Sequence, residues 1–287
     1  MTKETRSTLL LSCTAIIWGV GFVAQSVAMN YMGPLTFNAV RFLLAGIALI
    51  PVIKFFEGGI DKHSIKGGLV CGFVCFIGAT LQQFGILFTG SAGMAGFISG
   101  LYIIIVPILG VFLGRKAGLP VWVGAALAVI GLYLISSPDD ITAIDMGTLL
   151  LIACAFAWAI HIFLIDKFVA KAKPLGISMV QCFVIGTFSF IAAFIFEDIQ
   201  PVSIVSGYLP ILYSAFISIG IAYTLQFVGQ KHVPPGRSAV IFSMESVVAA
   251  ISEVIILGTF LATTGYIGGA LIFAGIIISQ RRFASSG

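Results

Sequence analysis

Long apolar runs separated by short polar or Pro/Gly-containing breaks leave this chain few possible folds. The runs lie near 8–29, 34–56, 67–88, 92–113 and 119–135, then near 146–165, 175–196, 207–228, 238–257 and 261–279. A hydrocarbon core about 30 Å thick takes about 20 mostly apolar residues per crossing helix. Within it every backbone N–H and C=O needs an internal partner, which only helices and closed barrels supply. Barrel strands alternate apolar with polar residues, whereas these runs are continuous. The expected fold is therefore all-α, a polytopic membrane protein of ten transmembrane helices.

Composition points the same way: 59% of the 287 residues are apolar or aromatic and 9% are charged, against roughly 25% charged in soluble domains. With the N terminus in the cytoplasm, every Lys and Arg except Arg41 falls on the inner side, and the outer connections carry Asp139, Asp140, Asp145, Glu197 and Asp198. This is the positive-inside pattern. It puts both termini in the cytoplasm, and one span more or fewer would break it. The net charge of +4 thus reports orientation and not an affinity for nucleic acid. The run at 8–29 follows Lys3 and Arg6 as a secretory leader would, but it exceeds the usual apolar stretch of roughly 7–15 residues and is expected to remain as a helix. Cys13, Cys71, Cys75, Cys154 and Cys182 all lie inside apolar runs, where free cysteine behaves as a small hydrophobe. No zinc or disulfide spacing is visible. The expected setting is the bacterial inner membrane, with the lipid bilayer and a small-molecule solute as partners, no cofactor or metal, and a monomeric state.

The chain repeats itself. Trp18 and Trp158 share an offset of 140 positions, as do Pro34 and Pro174. From Thr80-Leu81-Gln82 and Thr224-Leu225-Gln226 the offset is 144, and it holds through Ser99/Ser243, Gly124/Gly268 and Gly131/Gly275. Two five-helix repeats, 1–137 and 138–287, are expected, and because five is odd the second must enter the membrane inverted. Inverted repeats place a substrate site near the midplane between the halves.

Trp18-Gly19-Val20-Gly21-Phe22, Arg41-Phe42-Leu43-Leu44-Ala45 and the glycine-spaced stretches 124–131 and 268–275 resemble signatures of the EamA family of the drug/metabolite transporter superfamily, over essentially the whole chain. The resemblance implies transport, frequently export, of amino acids, other metabolites or toxic compounds. Two features depart from the family pattern. Leu113-Gly114 and Leu257-Gly258 lead to Arg115 and Thr259 where a glutamate is frequent, and Glu245 is followed by Ser246 where proline is frequent.

An ionisable group inside a span costs at least ~2.5–3.5 kcal/mol on insertion scales and needs a partner, a wet cavity or the interface. Arg41 has two readings, a structural anchor that snorkels or binds a neighbouring helix, and a site for an anionic group such as a carboxylate. Glu253 lies at a similar depth, so an Arg41–Glu253 pair is open. Glu245 is deeper, either a proton- or amine-sensing group or a structural hydrogen-bond acceptor. His161 shares a helix face with Trp158 and is either a packing residue or a proton relay. Glu245, His161 and Glu253 are the coupling candidates. Further cavity candidates are Trp18, Gln25, Asn38, Gln82, Gln83, Tyr102, Trp158, Tyr223 and Gln226, for which helix packing and interhelical hydrogen bonding are the competing roles. Pro107 is a possible kink.

The functional expectation is a secondary transporter, in the exporting direction, of small metabolites such as amino acids or related amphipathic compounds by alternating access. No phosphate-binding loop is present to supply nucleotide energy. The alternatives are a non-transporting sensor or scaffold, which the short loops disfavour, and an intramembrane enzyme, for which no nucleophile–base pair or metal spacing is evident.

Overall fold

A computed structural model describes residues 2–115, 117–136, 145–258 and 263–279, and all regular structure among them is helical. The elements are α1 (Lys3–Ala28), α2 (Pro34–Phe56), α3 (Lys62–Thr89), α4 (Ala92–Ser99), α5 (Tyr102–Phe112), α6 (Leu119–Ser136), α7 (Met146–Val169), α8 (Pro174–Phe196), α9 (Pro201–Ser206) and α10 (Tyr208–Leu212). A π-helix, π1 (Tyr213–Ile221), follows, then α11 (Ala222–Gln230), α12 (Pro235–Phe242), α13 (Met244–Leu257) and α14 (Thr263–Ser279). Lys116, Asp139, Asp140, Thr259, Arg281, Arg282, the expected boundary at 137/138 and the expected start of the last span at 261 lie outside the described residues.

Taken across their internal breaks, eight helical segments are long and apolar enough to cross a membrane, and two shorter apolar helices, Leu119–Leu134 and Thr263–Ser279, accompany them. The chain is a multi-pass membrane protein, and its exposed large side chains, Phe55, Phe112, Phe194 and Ile255 among them, are those expected of a lipid-facing surface. Helix starts follow local chemistry. Pro34 and Pro174 open α2 and α8, where a missing N–H costs nothing. The Asp61 and Asp145 carboxylates accept from the Ser64 and Thr148 amides at 2.6 and 2.7 Å, and those bonds hold both carboxyls below the usual range.

Two expected spans are broken differently from the sequence reading. The fourth interrupts at Gly100-Leu101, between α4 and α5, and not at Pro107, which continues inside α5. The ninth interrupts at Ser243, the position 144 residues beyond Ser99. At each break a serine hydroxyl turns back onto its own helix, Ser99 Oγ donating to the Ala95 carbonyl and Ser243 Oγ to the Val240 carbonyl, both at 2.6 Å. Such back-bonding competes with the helical ladder and bends it.

Close approach of backbones organises the packing. A Cβ on Gly124 would lie 2.7 Å from the Gly275 carbonyl oxygen, and one on Gly131 would lie 2.5 Å from that of Gly268. The pairing of 124 with 275 and of 131 with 268 makes α6 and α14 antiparallel, with glycine at the crossing because backbone fills the space a side chain would need. The pair α2 and α8 is also antiparallel: Glu57, after the end of α2, binds the start of α8, and Glu197, after the end of α8, binds the start of α2. Helix α3 lies against α7 and α8, and α1 against α11 and α13.

Candidate functional site

The two broken helices meet at the centre. Directly after the breaks stand Tyr102 on α5 and Glu245 on α13, both buried, with the Tyr102 hydroxyl donating to Glu245 Oε1 at 2.8 Å. They line a central cavity of about 60 Å³, smaller than the roughly 300–1,000 Å³ typical of small-molecule sites, so a solute requires it to widen. Its walls are largely aromatic. Trp18 lies edge-on to Tyr223 with centroids 5.1 Å apart and 5.4 Å from Phe242, and Trp158 packs against His161 at 5.7 Å.

Amides join the aromatic walls across the repeat. Trp158 Nε1 donates to Gln82 Oε1 at 2.8 Å, and Gln82 Nε2 donates onward to Gln25 Oε1 at 3.2 Å. Gln25 is fixed in turn by its own bond to the Gly21 carbonyl, and Gln83 Nε2 donates to the Gln25 carbonyl. The equivalent pair in the other direction would be Trp18 with Gln226, and it is not made. Trp18 Nε1 donates instead to the Ser218 carbonyl at 3.0 Å, within π1, and the buried Gln226 Oε1 has no partner among the described residues. The corresponding part of α3 is ordinary α-helix. A π-helix inside a helix often marks a functional position, and here it distinguishes two otherwise equivalent walls.

Arg41 enters the cavity from α2. It is 4% exposed, so it does not reach the interface. Nε and Nη2 both donate to Asn38 Oδ1, at 3.1 and 2.7 Å, and the guanidinium carbon lies 4.6 Å from the Phe37 ring and 5.1 Å from the Phe42 ring. Among the described residues the ion pairs are Arg115–Asp166 and Arg237–Glu4, and Arg41 takes part in neither. Its guanidinium is thus held by an amide oxygen and ring faces and not by a carboxylate.

Of the residues anticipated from the sequence, Trp18, Gln25, Arg41, Gln82, Tyr102, Trp158, His161, Tyr223, Gln226 and Glu245 line this one cavity. Asn38 and Gln83 stand behind it, bonded to Arg41 and to the Gln25 backbone. Glu253 lies away from it, accepting from the Gly93 amide at 2.9 Å, so it meets the start of α4 and makes no pair with Arg41. His161 is buried and its Nε2 bonds Gln181 Oε1 at 2.7 Å. The sequence reading missed Phe22, Phe42, Ser218 and Phe242 in the lining and Gln181 behind it. Phe22 was accessible, since it follows Trp18 by four residues and so shares its face. Gln181 also carried a signal, as an amide inside an apolar run.

A helical membrane protein whose repeat-related aromatic and amide residues surround one central cavity belongs to the class of solute transporters. The EamA-like transporter family model matches residues 5–137 and 145–280, and the chain belongs to that family. It is similar to an uncharacterized transporter of Archaeoglobus fulgidus, 29% identical with 98% of this chain and 87% of the relative covered. It is also similar to the uncharacterized inner membrane transporter YedA of Escherichia coli, 21% identical over 93% of this chain and 89% of the relative. A protein of known crystal structure shares the fold with a TM-score of 0.81 at 19% identity, over 100% of both chains.

Proposed function

We propose that this protein is a secondary carrier of the inner membrane that exports a small amphipathic metabolite, an amino acid or a related compound, by alternating access. The observation that carries the reading is the convergence of repeat-related residues, Trp18 with Trp158 and Gln82 with Gln226, on a single cavity. In this reading ten helices cross the membrane as two inverted halves, 1–137 and 138–287, with both termini in the cytoplasm. The antiparallel packing of α2 with α8 and of α6 with α14 supports it, since each pair joins repeat equivalents. Rocking of one half against the other would expose the cavity to each side in turn.

Aromatic walls suit an apolar side chain, while Arg41, Glu245 and the glutamines offer charge and hydrogen bonds to a polar end. Purified protein in proteoliposomes should catalyse counterflow of radiolabelled amino acids or related metabolites, and Trp18→Ala together with Trp158→Ala should abolish it. Absence of flux for every solute that confers a growth phenotype on overproducing cells would set the carrier reading aside.

A further inference from the structure

Asn38 is wholly buried and held at both ends of its amide. Oδ1 accepts two bonds from Arg41, and Nδ2 donates to the Ala79 carbonyl of α3 at 3.2 Å. The side chain is therefore locked, and through it the guanidinium. An aspartate would occupy the same volume and present the same oxygen to Arg41, but it would form a buried ion pair and cancel the charge. The neutral amide orients the cation without neutralising it. Among the described residues no hydrogen bond is made by Nη1, and Arg41 contributes to the cavity wall. Glu245, the acidic group in that wall, has one oxygen bonded to Tyr102 and forms no ion pair with Arg41.

We propose that Asn38 is the specificity-determining positioning residue of this carrier: it keeps Arg41 an oriented, uncompensated cation, so that the transported solute supplies the missing counterion as a carboxylate. The planar guanidinium fork matches two carboxylate oxygens, and a solute lacking that group leaves the buried charge unpaired. The inference rests on the carrier reading and adds a substrate requirement to it.

The test uses full-length protein in proteoliposomes and a panel of the standard amino acids, their carboxamides and the matching simple carboxylic acids. Wild-type protein should transport acids over amides by about tenfold or more, the scale of one charge-assisted hydrogen bond. Asn38→Asp should remove that preference, and Asn38→Ser, which keeps a neutral acceptor, should retain it. Should Asn38→Asp fail to give monodisperse protein, Arg41→Gln serves in its place, with a loss about tenfold larger for acids than for amides. Wild-type transport of amides equal to that of acids overturns the carboxylate requirement while leaving the carrier standing. An unchanged acid preference in Asn38→Asp, or equal losses for acid and amide in Arg41→Gln, overturns the assigned roles. If no acid in the panel moves, the substrate class is wrong, and counterflow of a neutral or cationic solute that confers a growth phenotype on overproducing cells then tells whether the carrier reading fails with it.

Discussion

Glu57 and Glu197 cap each other's helices. Glu57, at the end of α2, accepts from the Leu175 and Gly176 amides of α8 at 3.0 Å each; Glu197, at the end of α8, accepts from the Leu35 and Thr36 amides of α2 at 2.8 Å each. All three equivalences, 57 with 197, 35 with 175 and 36 with 176, keep the offset of 140 that relates Trp18 to Trp158. Each carboxylate gives one oxygen per amide at a helix N terminus, where negative charge and the orphan N–H groups attract. Gly33 precedes α2 because the Glu197 carboxyl fills the place a Cβ would take.

Removing either carboxylate should destabilise by about 1–2 kcal/mol, the scale of a lost N-cap. The two sites lie roughly 35 Å apart along the 23 residues of α2, so Glu57→Ala and Glu197→Ala should be additive within about 0.5 kcal/mol. Reversible unfolding in mixed micelles measures this, and strong coupling between them would contradict two independent clamps.

At the α6–α14 crossing, Gly131→Val should be far more damaging than Gly58→Val. The first inserts a side chain where a backbone oxygen stands 2.5 Å from the Cβ position, while the second has open space despite its positive φ. The cost at Gly58 is the strain of a left-handed β-branched residue, about 1–3 kcal/mol. Detergent-solubilised yield and melting temperature report the difference.

Proton antiport through Glu245 or His161 is the coupling expected from their burial within the spans. Efflux from proteoliposomes by wild-type protein should accelerate when the outside is acidified. In Glu245→Gln that acceleration should vanish while solute-for-solute counterflow persists, because exchange needs no change of protonation. Tyr102→Phe, which removes only the donor to Glu245 Oε1, should move the pH dependence without abolishing it. His161→Ala is the companion variant, and unchanged pH dependence in both Glu245→Gln and His161→Ala would remove the coupling role.

The unequal walls give a fourth expectation. Trp158→Phe deletes the bond to Gln82 and leaves the ring, whereas Trp18→Phe deletes a bond to the Ser218 carbonyl in π1. Both should slow transport by about tenfold. A Gln226→Leu change, which removes an acceptor that is unpartnered in this conformation, should cost little in melting temperature but as much in transport, since the oxygen is needed where solute or Trp18 reaches it.

The apolar runs and the repeat made the membrane class and the duplicated pattern readable, because both are properties of order along one chain. Most of the candidate cavity residues were readable too: a polar or ionisable group in hydrocarbon is costly wherever it sits, so Arg41, Gln82 and Glu245 stand out without coordinates. Asn38 against Gln25 was not separable, because both are buried amides and only tertiary packing puts one behind Arg41 and the other in the cavity wall. Glu253 fell in the same way, its depth matching Arg41 while its helix face points to Gly93. The break at Gly100 escaped notice because Pro107 is the louder signal, and the π-helix at Tyr213–Ile221 has no marker in an apolar stretch.

The most direct measurement is two-sided access to the cavity. In a background with the five cysteines replaced, a single Ser218→Cys protein, which keeps the backbone carbonyl that Trp18 bonds and places a thiol in the cavity wall, is exposed in oriented vesicles to a membrane-impermeant thiol reagent from each face separately. The expected result is labelling from both faces, with transported solute changing the ratio between them. Labelling from one face alone, unaltered by any solute, would contradict a cavity that opens alternately.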